Sequence, residues 1–334
     1  MNTFGRNFRV TTFGESHGPA VGCVVDGMPA GFELDIEAMR RALDRRRTGR
    51  PGTSQRHEAD EFEILSGIYQ GRTLGTPIAV IVRNTDARGN DYAEVAAAYR
   101  PNHADYTWQA RYGFTDPRGG GRASARETVG RVIAGAMASQ VLATKGISME
   151  SEVVKLGGVK IGNNSQIDEI IAAARADGDT VGGIAALTIK GVPAGIGTPV
   201  ASKLSAALAA AMMSIPAVKG VEIGDGFAAA AARGSEQVDE FYADTDGRIR
   251  TRANHSGGIQ GGISNGENIT MRIAFKPIAT LPGHTLATVD RDGQTGTICV
   301  RGRHDSSALP RALPVVEAMA AITLLDAMIC NNSI

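Results

Sequence analysis

Apolar residues recur along this chain in two rhythms, one of two residues and one of three to four, separated by short clusters of glycine. The two-residue rhythm predicts strands over residues 7–13 and 21–26, the second (VGCVVD) running into the turn Gly27-Met28-Pro29. Asp35 reads as a helix N-cap, after which Ile36, Met39 and Leu43 mark one helical face through about Arg47. EFEIL and PIAVIVR read as strands joined through the hairpin-like SGIYQGRTLG. A long helix is expected over 124–145, where Val129, Val132, Ile133, Ala136 and Met137 repeat at helical spacing. Further strands are expected near 152–161, 182–192 and 268–275, the last (NITMRIAF) alternating most clearly. Further helices are expected at 166–177, 199–213 and 314–329, with Pro314 in the first turn of the last. Strand–turn–strand units mixed with strand–helix units predict an α+β architecture rather than a regular parallel α/β sheet. No internal repeat or linker composition divides the chain, so residues 1–334 read as one domain.

Charge and composition narrow the function classes. The 35 basic residues are balanced by 35 acidic ones, which argues against a general nucleic-acid or membrane-surface binder, since either usually carries a basic excess. Aromatics at 5% are too few for the stacking platforms of a single-strand binder. Cys23, Cys299 and Cys330 show no metal-ligand spacing and read as free thiols of a reducing compartment. MNTFGRNFRV lacks the apolar core of a signal peptide. No uninterrupted apolar run approaches the roughly 20 residues of a membrane span. The expectation is a cytoplasmic globular protein. Neither a GxxxxGK[ST] nor a GxGxxG fingerprint is present, which counts against an ordinary NTPase or Rossmann oxidoreductase.

Four polar segments carry candidate chemistry. In YGFTDPRGGGRASARET, Gly119, Gly120 and Gly121 precede Arg122, Ser124 and Arg126 at the expected start of the long helix. Glycines let backbone approach a ligand, and a helix N-terminus favours an anion, so the segment suits a phosphate or carboxylate; a flexible glycine hairpin is the alternative. GESHG (14–18) places Ser16 and His17 in a tight turn, where histidine suits general acid chemistry near neutral pH, or merely satisfies the turn. Residues 40–56 hold Arg40, Arg41, Arg45, Arg46, Arg47, Arg50 and Arg56, and arginine forks bind carboxylate and phosphate bidentately; a surface salt-bridge patch remains open for the outer members. RPNHAD sets His103 between Arg100 and Asp105, and RHDSSALPRALP repeats the theme with Arg303, His304 and Asp305.

Together these motifs resemble the chorismate synthase family. FRVTTFGESHG, DRRR…PGTS, EILSGIYQGRTLGTPIAV, RPNHADYT, GGGRASARET, IPAVKGVEIGDGF, NHSGGIQGGISNGE and RHDSSALPRALPVVEAM occur in the family's order along nearly the whole chain. The resemblance implies a lyase that converts 5-enolpyruvylshikimate 3-phosphate to chorismate and phosphate by anti 1,4-elimination, in aromatic amino-acid biosynthesis. It implies a requirement for reduced FMN (FMNH2) with no net redox change, and a homotetramer of α+β subunits whose helices lie between antiparallel sheets. It implies substrate contacts from Arg46, Arg50, Arg100, Arg126 and Arg303. His17 would assist the departing phosphate beside Ser16, His103 would act near the reduced flavin, Asp305 would help the flavin N5 accept the C6 hydrogen, and Ser124 would join a proton relay. Flavin contacts would come from Arg122, Ala123, Ser124, Pro216, Ala217, Gly261, Lys276, Pro277, Ile278, Ala279, Thr280 and Arg303. With no nicotinamide fingerprint in the chain, the flavin is expected to be reduced by an external flavin reductase, although family members that use NADPH themselves also lack one. Neither nucleic acid nor membrane is expected as a partner.

The sequence departs from the family at two places. The loop that usually reads KPTSS is KPIAT here, and GRSSARE is GRASARE. Each lost hydroxyl removes a hydrogen bond worth about 0.5–1.5 kcal/mol net. Flavin affinity is therefore predicted to be weaker than is usual in the family; titration with FMN checks this, and ordinary tight binding contradicts it.

Overall fold

Alternation in two stretches of chain builds two antiparallel sheets. The computed structural model describes residues 1–47, 60–85, 97–116, 118–300 and 305–333. In the first sheet, β1 (Thr3–Phe4), β2 (Arg9–Phe13), β3 (Ala20–Asp26), β4 (Phe62–Ile64) and β5 (Ile78–Arg83) lie in the order β1-β2-β3-β5-β4. Val21, Cys23 and Val25 alternate into its buried face with Ile78, Val80 and Val82. The second sheet joins β6 (Ser148–Leu156), β7 (Val159–Lys160), β8 (Gly183–Lys190), β9 (Val218–Ile223) and β10 (Ile269–Phe275) in the order β9-β10-β8-β6-β7. There Ala185, Leu187 and Ile189 of β8 and Ile269, Met271, Ile273 and Phe275 of β10 turn inward at every second residue.

The helices are α1 (Ile36–Arg46), α2 (Asp105–Tyr112), α3 (Thr128–Ala143), α4 (Asn164–Ala176), α5 (Leu204–Met213) and α6 (Leu309–Cys330), and α3 and α6 fill the space between the sheets. α3 packs on β2, β3 and β5, α6 packs on β6 and β8, and α3 and α6 pack on each other. The layers therefore run sheet, helix, helix, sheet, as expected of an α+β sandwich. Met39, Leu43, Ile133, Met137, Leu142, Leu187, Leu324 and Leu325 belong to one continuous apolar cluster through these layers, and burying each such side chain contributes about 1.5–3 kcal/mol. By length and composition α6 could cross a membrane, but Arg311, Glu317 and Asp326 interrupt it and 61% of its most apolar window is buried within the fold. Burial pushes the Cys23 thiol up to about 12, against a small opposing hydrogen bond from the Ala134 backbone. All three cysteines are free.

Several boundaries differ from the expected ones, each for a local reason. The helix expected from 124 begins at Thr128, after two 3-10 turns over Arg118–Ala123 and Ala125–Glu127. Gly120 (φ 88°) and Gly121 (φ 53°) are left-handed, a conformation that no α-helix accommodates, and Ser124 caps the second turn by accepting from the Arg126 N–H. The last helix starts at Leu309 rather than 314, so Pro310 takes the first turn and Pro314 lies inside the helix. α5 begins at Leu204 instead of 199. α2 escaped the periodicity because none of its eight residues is buried.

The approach of the two central helices depends on glycine. A Cβ on Gly135 would lie 2.3 Å from Ala318 Cβ and 2.4 Å from its Cα. Alanine there gains about 1 kcal/mol of helix propensity but forces apart a packed pair, which costs about 1–3 kcal/mol. Gly135→Ala is predicted to lower the urea midpoint with an unchanged slope; a raised midpoint contradicts this close packing.

Candidate active site

Where the first turns of α3 and α6 meet, the sandwich opens into a cavity of about 630 Å³, within the usual range for a small-molecule site. Thr128 and Arg131 of α3 and Ala308, Arg311 and Ala312 at the start of α6 line it. Neither N-cap residue, Glu127 or Ala308, caps its helix with a side chain. Both first turns thus bring the positive ends of helix dipoles to one space. The N-terminal strands, the end of α1, the loop before α2, the turn after α5 and the loop after β10 supply the remaining walls.

Charge concentrates here although the chain is neutral. Among the described residues, seven cationic side chains line the cavity: Arg46, Arg100, Arg122, Arg126, Arg131, Lys276 and Arg311. Only three carboxylates share the wall, those of Asp60, Glu127 and Asp305, with Asp105 behind Arg100 as a fourth. Arg46 belongs to the arginine-rich run, but helical spacing from Met39 and Leu43 turns it inward, where it is 2% exposed. Its neighbours Arg40, Arg41, Arg45 and Arg47 pair on the surface with Glu37, Asp35, Glu317 and Asp44. The salt-bridge alternative thus holds for those four, and Arg46 alone of the described run enters the cavity.

Carboxylates and backbone oxygens fix the cavity arginines. Arg46 donates from Nε to Thr128 Oγ1 at 2.9 Å, from Nη2 to the Ala125 carbonyl at 2.9 Å and from Nη1 to Asp60 Oδ2 at 3.2 Å. Arg126 donates from Nη1 to the other oxygen of Asp60 and from Nε to Asn84 Oδ1 at 3.0 Å. Arg131 pairs with Glu127 at 2.7 Å, donates to Ser214 Oγ at 2.8 Å and lies over the Phe4 ring. Asp305 is held by Arg311, whose Nε also donates to the Arg46 carbonyl at 3.0 Å. Arg122 and Lys276 meet neutral acceptors among the described residues: Arg122 donates to Asn2, Thr12 and the Gly14 carbonyl, Lys276 to the Asn102 carbonyl. Burial, and then the like charge of Lys219, lowers the Lys276 ammonium from its ordinary pKa.

His103 stands at the wall beside Arg100 and Asp105. Its Nδ1 lies 2.6 Å from Asp105 Oδ1 and 3.1 Å from Arg100 Nη2. Arg100 is bidentate to the same carboxylate, at 2.8 and 2.7 Å. Gly120 permits this arrangement, because a Cβ there would come within 2.9 Å of His103 Cε1. Burial alone would raise Asp105, but hydrogen bonds from Arg100 and then His103 outweigh it and hold the carboxyl well below its usual range.

Of the residues singled out in the sequence, the cavity gathers Arg46, Arg100, His103, Arg122, Ala123, Ser124, Arg126, Pro216, Ala217, Lys276, Pro277, Ile278, Ala279, Thr280 and Asp305. Ser16 and His17 are buried but do not line it. They sit behind the glycine segment, with Ser16 N–H donating to the Gly121 carbonyl and Ser16 Oγ 3.0 Å from His17 Nδ1. Gly261 lies in the exposed turn between Ile259–Gln260 and Ile263–Ser264, away from this cavity. Arg50, Arg303 and His304 fall outside the described residues. Sequence reasoning missed Asp60, Glu127, Arg131 and Arg311. The spacing of Glu127 and Arg131 signals a helical ion pair, whereas nothing local to Asp60 announces its partners.

A family model described as chorismate synthase matches residues 8–329. A chorismate synthase of Chloroflexus aurantiacus is 52% identical over 344 residues, covering 97% of this chain and 94% of that protein. One from Parabacteroides distasonis is 47% identical over 356 residues, covering 100% and 99%. A solved structure titled "Crystal Structure of Chorismate Synthase" superposes with a TM-score of 0.76 at 31% identity, covering 98% of this chain and 93% of that one.

The Asp105 carboxyl yields a pH prediction. A depressed carboxylate contributes stability above its unfolded pKa, about 3.9, and loses it as pH falls toward the folded value. Asp105→Asn should therefore be less stable than the parent near pH 5, by a margin that narrows as pH falls below about pH 4. Urea unfolding across that range checks this, and a margin independent of pH contradicts it.

Proposed function

Because the chain belongs to the chorismate synthase family, we propose that it converts 5-enolpyruvylshikimate 3-phosphate to chorismate and phosphate by anti 1,4-elimination, with reduced FMN as cofactor. The observation that carries this reading is the gathering of seven cationic side chains and two helix N-termini around one cavity of a neutral chain. A substrate bearing a phosphate and two carboxylates is the kind of ligand such a cavity suits.

The residues present also fit a flavin phosphate. Arg131 Nε is buried with no hydrogen-bond partner among the described residues, and a buried donor left unmade is costly, so an anionic group beside it would complete the site. Arg122, Ala123, Ser124, the Pro216-Ala217 turn and the Lys276–Thr280 loop would hold the cofactor. Thr180 Oγ1 supports that loop by donating to the Ile278 carbonyl at 2.8 Å. When bound, reduced FMN supplies the electron density that lets the C–O bond break without net redox change. Arg46, Arg100 and Arg126 orient the substrate's anions and offset charge on the departing phosphate. His103 and Asp305 are the groups able to hold or move a proton at the wall, each fixed by an arginine. Ser16 and His17 act from behind the glycine segment, with the hydroxyl of Ser124 at the cavity wall. The active assembly is proposed to be a homotetramer supplied by an external flavin reductase.

Anaerobic turnover with chemically reduced FMN tests this directly. Chorismate and phosphate should appear in equal amounts, be absent with oxidised FMN alone or with NADPH added to it, and fall by about 100-fold or more in His103→Ala. Folded protein that yields neither product under saturating reduced FMN would overturn the reading.

A further inference from the structure

The loop before α2 folds a histidine back onto an arginine and an acid. Arg100-Pro101-Asn102-His103 forms a turn in which the His103 N–H donates to the Arg100 carbonyl at 3.2 Å and Asn102 takes a left-handed φ of 60°. Proline at the second place and asparagine at the third are the residues a type II turn favours. Lys276 Nζ donates to the Asn102 carbonyl at 3.2 Å and ties the turn to the end of β10. Two residues after His103, Asp105 opens α2, where the helix dipole favours a carboxylate. Arg100 holds that carboxylate from its backbone N–H at 3.1 Å and from Nε and Nη2 at 2.8 and 2.7 Å. Asp105 is thus a fixed anion at the back of the cavity wall, with 10% of its side chain exposed.

Both charged neighbours reach the same ring nitrogen of His103. Nδ1 lies 2.6 Å from Asp105 Oδ1 and 3.1 Å from Arg100 Nη2. A neutral imidazole has one N–H and one lone pair, so Nδ1 cannot serve both. A bare Nδ1 would turn its lone pair toward a carboxylate oxygen that is closer than the guanidinium from which it would accept. The nearer charge decides, and it calls for an N–H at Nδ1. The far edge of the ring passes over Gly120, where a Cβ would lie 2.9 Å from Cε1 and 3.3 Å from Nε2.

We propose that Asp105 is the positioning residue of His103: it keeps the ring in the Nδ1–H tautomer, so that Nε2 is the nitrogen that takes and returns a proton at the cavity wall. The hydrogen bond made by one ring nitrogen sets the state of the other. When Nε2 gains the proton, Asp105 stays ionised and offsets the new positive charge beside Arg100. This deepens the reading of His103 as a proton-handling group in the proposed reaction and rests on it.

The first test needs no turnover. In protein carrying isotope-labelled histidine, at a pH high enough for the ring to be neutral, nitrogen chemical shifts separate N–H from bare nitrogen. His103→Gln identifies the signal among the six histidines. The parent should show Nδ1 protonated. Asp105→Asn removes the anion and leaves Arg100 as the charged neighbour of Nδ1, so the ring should pass to the Nε2–H tautomer. In the same variant, kcat for 5-enolpyruvylshikimate 3-phosphate with reduced FMN should fall about 100-fold. A parent with Nε2 protonated, or a tautomer unchanged in Asp105→Asn, overturns the proposal. So does a change in KM alone with parent-like kcat, the pattern of a role confined to holding Arg100.

Should the asparagine variant fail to fold, Asp105→Glu keeps the charge and moves it by one methylene. The Nδ1–H tautomer should persist with kcat within about tenfold of the parent; failure of either overturns the proposal. An inactive parent that still shows Nδ1 protonated would instead sink the functional reading, which separates the two failures.

Discussion

The pairing of buried arginines with buried carboxylates is the interaction on which this structure turns. Seven cations around one cavity would repel one another strongly in a poorly solvated space. Asp60, Asp105, Glu127 and Asp305 make the arrangement tolerable and orient the guanidinium groups of Arg46, Arg100, Arg126, Arg131 and Arg311. Among the described residues the acids number fewer than the cations they face, so this part of the wall stays positive. Electrostatic preorganisation of this kind, with dipoles set before the ligand arrives, is usually the largest single contribution to catalysis.

The sandwich exists in a form that delivers those pairs. α3 and α6 approach closely because Gly135 lets Ala318 in, and this brings both N-termini to one end of the helical layer. Arg126, Glu127 and Arg131 arrive on or just before the first, and Asp305 and Arg311 on or just before the second. α1 lies against both helices and carries Arg46 on the same face as its core residues. Packing and chemistry therefore share elements: a change that separates α3 from α6 also separates the charges.

Much of this was legible in the sequence, and unevenly so. Strands such as ITMRIAF and AVGCVVD declare themselves because one face of each is buried and alternation follows. The helix start at Thr128 was misplaced because periodicity sees the apolar residues of α3 but not the left-handed glycines that delay it. α2, whose residues bury nothing, gave no apolar signal. Arginine and histidine candidates stood out because they cluster in polar, non-periodic segments. Their counter-ions did not: Asp60 lies 66 residues from Arg126 along the chain, and only the fold shows which acids meet which bases. Spacing also could not tell Arg46 from Arg45 or Arg47, a distinction made by the helical face that α1 presents to the core.

The most direct measurement of the central claim is calorimetric binding of 5-enolpyruvylshikimate 3-phosphate to the protein loaded with oxidised FMN, where no turnover obscures affinity. If the paired arginines form the anion site, Arg46→Ala and Arg126→Ala should each weaken binding about ten- to a hundredfold while exchange of the surface Arg40 to alanine leaves it unchanged. Equal affinity in the parent and both cavity variants would contradict the account.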